Sequence, residues 1–407
     1  MDLFEKCEGF YNSDALAQSL GYPVSPHTAM TMGLYPYFIA LDQTEGTEVT
    51  INGKRLIMIG SNNYLGLTTH PKVREAAIQA IRDYGTSCTG SRFLNGTLRL
   101  HHELEEKLAD YIGQEKALVF STGYQTNLGT ISAMIGRQDT VIIDKEDHAS
   151  IVDGCRMALG TLKRFRHNDV ADLERVLQSC PDDTGKLVVV DGVFSMGGEI
   201  APLPEIAPVC KKFGARLMVD DAHALGVIGG GRGTAAHYGM TKSDVDLVMG
   251  TFSKSFASIG GVIAGSEAVI HWIQHFARSL MFSASLPAPN VASVLAALEI
   301  MKAEPERVDR VNAIAERMRQ GYRSLGYTIG NSQTPIIPII IGDQMKTIMV
   351  WKALMEAGVY TNVALPPAVP EDMSLLRTSY MATHTDDQMD RVLEIFAKVG
   401  KEMGATA

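Results

Sequence analysis

Short apolar runs rich in valine and isoleucine punctuate the middle of the chain: Ala117 to Phe120, Val141 to Ile143, Leu187 to Val190, Arg216 to Val219, Val245 to Met249 and Val262 to Ala264. Each is too short for a helix, and they alternate with helical stretches such as Leu203 to Phe213. That alternation predicts a mainly parallel sheet buried on both faces. Ahead of it, helical spacing runs from Pro71 to Tyr84 (Val73, Ala76, Ala77, Ala80, Ile81) and from Leu100 to Ile112 (Leu104, Leu108, Ile112). Asn52-Gly53 between β-rich flanks predicts a tight hairpin over 48–59. Residues 1 to about 45 mix amphipathic patches with Pro23, Pro26 and Pro36 and read as an arm laid on a larger body. Beyond Pro287-Ala288-Pro289 come long helices, strand-like Pro335 to Ile341, a helix near Lys346 to Ala357, strand-like Leu375 to Tyr380 and a final amphipathic helix. The expected division is therefore an arm and hairpin (1–60), a large α/β domain (61–290) and a smaller α+β domain (291–407).

Composition narrows the class. With 407 residues, 45% hydrophobic and 20% charged, the chain is long enough for a large core plus a smaller one. A net charge of −9, with no long basic cluster, argues against a nucleic-acid surface. Five scattered cysteines (Cys7, Cys88, Cys155, Cys180, Cys210) lack the spacing of a disulfide framework or zinc site. The start of the chain lacks an export signal and no apolar run reaches bilayer length, so a cytoplasmic protein is expected.

In open α/β sheets ligands bind beyond the carboxyl ends of the strands, and here those ends hold the chemistry. Ser121-Thr122-Gly123-Tyr124-Gln125-Thr126-Asn127 opens a helix after the first run, a ready anion cradle or a bare strand-to-helix turn. His148 in Asp144-Lys145-Glu146-Asp147-His148 offers a flat imidazole, with a surface loop as the plainer reading. Asp191-Gly192-Val193-Phe194-Ser195 contributes a hydroxyl. Val219-Asp220-Asp221-Ala222-His223 places two carboxylates and an imidazole after a strand, suited to a protonated heteroaromatic nitrogen and a phenolate oxygen. No metal set is expected, since Asp191 and His237 have no recognised ligand spacing. Gly250-Thr251-Phe252-Ser253-Lys254-Ser255-Phe256 sets a lysine among hydroxyls, where a partly desolvated amine is a usable nucleophile. Arg92, in a glycine-rich loop, and Arg377, in an apolar strand, are candidate anion contacts, a structural salt bridge being the alternative for Arg377. An anion cradle, a carboxylate for a pyridine nitrogen, a stacking histidine, a lysine for an aldehyde and an arginine for a carboxylate are together the needs of pyridoxal 5′-phosphate.

From about Leu34 to Val399 the sequence resembles the α-oxoamine synthases, fold-type I enzymes that condense an amino acid with an acyl-CoA. Its Thr251-Phe-Ser-Lys254-Ser-Phe-Ala-Ser-Ile-Gly-Gly261 segment is similar to the bacterial serine palmitoyltransferase branch. The resemblance implies an aminotransferase-like fold with a mainly parallel seven-stranded sheet. It implies Lys254 as the Schiff-base lysine, Asp220 at the pyridine nitrogen, His223 at the ring hydroxyl and His148 stacked on the ring. Gly123, Tyr124, Thr251 and Ser253 would hold the phosphate, with Ser283 reaching it from a second subunit, and Ser195 would be a further cofactor contact through its hydroxyl. Asn63 and Tyr64 would also approach from across that homodimer interface, and Arg377 would grip the amino-acid carboxylate. Asp221 stands where many relatives have glutamate. The implied substrates are L-serine and a long-chain acyl-CoA; glycine or alanine with a shorter acyl-CoA is the nearest alternative, and a catalytically silent stabilising subunit is the alternative of another class. The aromatic arm (Phe4, Phe10, Tyr11) is expected mainly to pack a dimer, with peripheral contact with the inner membrane as the sharper reading.

Overall fold

A computed structural model describes residues 2–406. Seven strands form the largest sheet, in the spatial order Lys116–Phe120, Gly261–Gly265, Leu247–Thr251, Arg216–Asp220, Lys186–Asp191, Thr140–Asp144 and Thr161–Phe165. The side-chain alternation of each strand feeds two cores. Val141, Ile143, Leu187, Val189, Met218 and Met249 point to one face, under helices Gly123–Met134 and Ala149–Met157. Ile142, Val188, Val190, Leu217, Val219 and Val248 point to the other, under helices Val170–Gln178 and Leu203–Lys212. Burial on both faces is why these runs read as unbroken apolar stretches.

Two features of this sheet were not visible in those runs. Strand Thr161–Phe165 lies at the edge and contains Lys163 and Arg164, charges that protect an open edge but erase the apolar signal. Strand Gly261–Gly265 is antiparallel to both its neighbours. The connection 252–260 that feeds it is shorter than the dozen or so residues a parallel crossover needs.

By contacts the chain divides into two units: Asn62–Ser195 with Glu199–Arg310, and Met1–Ser61 with Met196–Gly198 and Val311–Ala407. Besides the short segment Met196–Gly198, this differs from the expected boundaries in two places. The hairpin joins the C-terminal unit, because strand Lys54–Met58 pairs in parallel with Val359–Tyr360. Helix Ala288–Ala303 stays with the large unit, where Val291, Val294 and Leu298 share a core with Leu104 and Leu108. The hairpin turn is as its Asn-Gly pair requires, with φ of 50° at Asn52 and 74° at Gly53.

In the smaller unit a three-stranded antiparallel sheet, in the order Ile336–Gly342, Ser374–Ser379, Asn362–Ala364, packs beside helices Gln344–Ala357 and Asp386–Met403. The arm contributes helices Glu5–Asn12, Asp14–Ser19 and Pro26–Thr31 to this unit. Phe10, Tyr22 and Tyr37 line an apolar cavity of about 540 Å³ there, together with Ile348, Leu365 and Pro366. Among the described residues no helix is long and apolar enough to cross a membrane.

One ion cluster ties strand ends of the large unit. His167 donates to Asp144 Oδ1 at 3.0 Å and to Glu199 Oε2 at 2.7 Å. Burial works against its charge, yet the two carboxylates prevail and raise its pKa from 6.5 to about 10. A raised folded-state value means that the stabilisation is complete below pH 6.5 and is lost as pH climbs through about 10. Melting followed by circular dichroism should therefore show stability falling across that window, with the fall flattened in His167→Gln.

Candidate active site

The loop bearing Lys254 is pinned from several sides. Phe252 and Phe256 are fully buried with ring centroids 5.5 Å apart, and Phe252 N–H donates to Gly260 C=O at 2.9 Å. Ser258 N–H returns to Phe252 C=O at 2.9 Å, and Ala257 sits at φ 57°, so the chain doubles back tightly around the lysine. Two buried aromatics thus hold a polar segment between antiparallel strands, leaving Lys254 half-buried in the lining of a cavity of about 350 Å³.

That cavity sits where the sheet delivers its strand ends. Thr122, Gly123 and Tyr124 line it at the start of helix Gly123–Met134, whose N-cap Thr122 accepts from Gln125 N–H at 3.1 Å. Thr251 and Ser253 stand opposite, their hydroxyls 3.0 Å apart. Gly123 is required by close approach, since a Cβ there would lie 2.6 Å from Thr251 Oγ1. A helix N-terminus facing two hydroxyls across a glycine is an anion cradle.

Asp220, His223, His148 and Ser195 line the same cavity. Asp220 is buried, and its two oxygens accept from Asn127 Nδ2 at 2.7 Å and Ala222 N–H at 2.9 Å. His223 Nδ1 lies 2.7 Å from Tyr64 Oη. His148 has its pKa lowered chiefly by burial, with the Asp220 charge opposing and Lys254 adding. Its backbone N–H donates to Asp191 Oδ2 at 3.2 Å. Tyr124 stands edge-on to the His148 ring at 6.3 Å and its hydroxyl bonds Asp153.

Other residues named from the sequence lie outside this chain's cavity lining. Asp221 turns away from the cavity, accepting from Thr234 N–H at 2.9 Å and Thr234 Oγ1 at 2.6 Å; burial pushes its carboxyl up to about 7. Asn63 closes its own turn, with Oδ1 accepting from Leu67 N–H at 3.0 Å and Nδ2 donating to Thr68 Oγ1 at 2.8 Å. Tyr64, expected from across a dimer interface, is fully buried in this chain and meets its own chain's His223. Arg92 is committed to Glu105 in a two-pronged, nearly buried pair at 2.7 and 3.1 Å, which removes it as a substrate contact. Ser283 accepts from Gln125 Nε2 at 3.1 Å outside this lining. Arg377 lies in the smaller unit, buried in the central strand of its three-stranded sheet, opposite Pro338 and Asn362.

Asn127, Ser150 and Asp191 also line the cavity and were not singled out for a site role. Asn127 had a usable signal, because it follows Gly123 by one helical turn and so shares its face. Asp191 ends its strand at the position paired with Asp220. Burial, then the Asp220 charge, pushes its carboxyl well above the usual range, against the opposing charge of Lys254.

The residues present fit pyridoxal phosphate. The anion cradle, the carboxylate and the lysine surround one cavity, whose volume lies within the range of small-molecule sites.

Comparison with known proteins agrees with this chemistry. The family model for aminotransferase class I and II matches residues 54–396. A serine palmitoyltransferase of Bacteriovorax stolpii is 53% identical over 90% of this chain and 88% of its own. An 8-amino-7-oxononanoate synthase of Treponema denticola is 41% identical over 91% of this chain and 94% of its own. The solved serine palmitoyltransferase from S. paucimobilis with bound PLP–myriocin aldimine is 37% identical, superposes with a TM-score of 0.93 and covers 99% of this chain and 100% of its own. This chain belongs to the class I and II aminotransferase family, with the fold-type I architecture, and stands within it beside the bacterial serine palmitoyltransferases.

Proposed function

We propose that this protein is a pyridoxal-phosphate-dependent acyltransferase that condenses L-serine with a long-chain acyl-CoA, releasing CoA and carbon dioxide and giving a 3-ketosphinganine-type product. The observation that supports it most is the convergence of Lys254, Asp220, His148 and His223 on one cavity beside a helix N-terminus. The 53% identity to a serine palmitoyltransferase favours serine and a long acyl chain over the oxononanoate synthase alternative, at 41%. Retention of all four groups speaks against a silent subunit.

When bound, the cofactor supplies an aldehyde for the amino group of the substrate and a conjugated ring that spreads the electron pair left at Cα. Thr251, Ser253 and the N–H groups of Gly123 and Tyr124 would hold its phosphate. Asp220 would pair with the pyridine nitrogen and supply the negative charge that favours a proton there. His223, oriented by Tyr64, would bond the ring hydroxyl, and Ser195 would add its hydroxyl. His148 would stack on the ring and steady the amino-acid carboxylate. Lys254 Nζ would be the amine that holds the cofactor through its aldehyde and, once free, the base for the Cα proton. A guanidinium fork matches a carboxylate, so Arg377 is the proposed anchor for serine. The working form is a homodimer, in which Ser283 serves the site of the other copy.

The test is a substrate matrix with pyridoxal phosphate: L-serine, glycine and L-alanine, each against acyl-CoAs of several lengths, with free CoA as the readout. L-Serine with a long acyl-CoA should release CoA fastest. Faster release with glycine or alanine and a short acyl-CoA would move the protein to another branch, and no release with any pair would leave the silent-subunit reading.

A further inference from the structure

His148 is the N-cap residue of helix Ala149–Met157, and its ring performs the capping: Nδ1 accepts from Ser150 N–H at 3.2 Å and lies 2.7 Å from Ser150 Oγ. A backbone N–H only donates, so Nδ1 is the unprotonated ring nitrogen and a neutral imidazole has its proton on Nε2. The next residues in the chain of bonds set its direction. Asn127 Nδ2 donates to Asp220 Oδ2 at 2.7 Å and to Ser150 Oγ at 2.8 Å. A carboxylate only accepts, so Asp220 dictates which end of the Asn127 amide faces it. The amide nitrogen spends its two protons on Asp220 and Ser150. Ser150 Oγ, already accepting from Asn127, turns its own proton towards His148 Nδ1.

Asn127 and Ser150 are both buried in the cavity lining, at 0% and 1% exposure, so water does not compete for these bonds. Asn127 Oδ1 is buried without a partner among the described residues. The amide therefore forgoes a hydrogen bond on its oxygen while its nitrogen makes two, the pattern of a group fixed by its donors. Burial of His148 and the nearby Lys254 charge favour the neutral ring, with the Asp220 charge opposing.

We propose that Asn127 and Ser150 are positioning residues, a relay from Asp220 that holds His148 as the Nε2–H tautomer, so that the imidazole donates a hydrogen bond from Nε2. The relay is defined by this chain's own groups. Its consequence for catalysis rests on the proposed function: a donor at Nε2 suits the substrate carboxylate, and an Nδ1–H tautomer would present a lone pair to that anion.

The tautomer can be read without turnover. Long-range proton–nitrogen spectra of the full chain labelled at histidine, with the His148 signals assigned by their loss in His148→Asn, should show Nε2 protonated and Nδ1 bare. In Ser150→Ala the hydroxyl proton is gone and only the longer backbone bond remains, so the Nδ1–H form should become populated; Ser150→Thr should restore the wild-type pattern. In the loaded enzyme kcat/KM with serine should fall about tenfold in Ser150→Ala, the scale on which partners that orient a histidine act, and recover in Ser150→Thr. A wild-type His148 protonated on Nδ1, or a Ser150→Ala spectrum identical to the wild type, overturns the relay. The wild-type spectrum suffices for that, so a variant that fails to fold does not protect the idea. A protein with the expected tautomer but no CoA release from any substrate pair would keep the relay and discard the proposed function.

Discussion

Lys254→Ala protein is expected to turn over on the order of 10⁴-fold more slowly than wild type and to lose the lysine-linked visible absorption band. Lys254 is assigned two jobs, the amine that engages the cofactor aldehyde and the base that takes the Cα proton, and alanine can do neither. The loss should not come from unfolding. Phe252, Phe256 and the Phe252–Gly260 bond shape the loop, and all persist in the variant. Its melting temperature should therefore stay close to wild type, as for most partly exposed positions. A variant that keeps the band, or keeps more than a tenth of wild-type turnover, would remove Lys254 from the chemistry.

Asp220→Asn should lower kcat by about 10²- to 10³-fold, the usual consequence of removing one group aimed at developing charge. An amide has nearly the size of the carboxylate but no negative charge with which to keep a proton on a pyridine nitrogen. It also faces Asn127 Nδ2, which now donates to Asp220 Oδ2 at 2.7 Å, so the relay to Ser150 is disturbed together with the charge. Because the phosphate cradle is untouched, the protein should still take up the cofactor. The combination of a retained but shifted absorption band with slow turnover separates this variant from Lys254→Ala. Unchanged turnover in Asp220→Asn would contradict the assigned role.

Most of the cavity was readable because strand ends are marked twice in a sequence, by the apolar run that stops and by the polar residues that follow. Lys254, Asp220, His148, His223, Gly123, Thr251 and Ser195 all stand just past such runs, and the fold brings them together. What the chain order hides is direction. Asp220 and Asp221 are neighbours, yet alternation sends the first into the cavity and the second to Thr234. Arg92 looked like a ligand contact because polar groups in loops are common to turns and sites alike, whereas Asn63 was implied by the resemblance alone. Their partners, Thr68 and Glu105, become apparent only when the loops close. The edge strand Thr161–Phe165 was hidden by its own lysine and arginine.

The partner of Tyr64 was likewise a question of distance. In sequence nothing connects Tyr64 to His223, and the resemblance placed it across a dimer interface. In this fold the bond between them lies within one chain and is buried. Asn127 and Ser150 escaped notice for a related reason, since they act on other side chains and only their convergence on Asp220 and His148 gives them a part.

The central claim is that Lys254 bonds the cofactor, and chemical trapping tests it most directly. The purified protein, saturated with pyridoxal phosphate, is reduced with borohydride, digested and mapped by mass spectrometry. The predicted result is a single pyridoxylated lysine, Lys254, whose modification is lost when L-serine is added before reduction. Modification at other lysines with Lys254 unmodified would contradict the account.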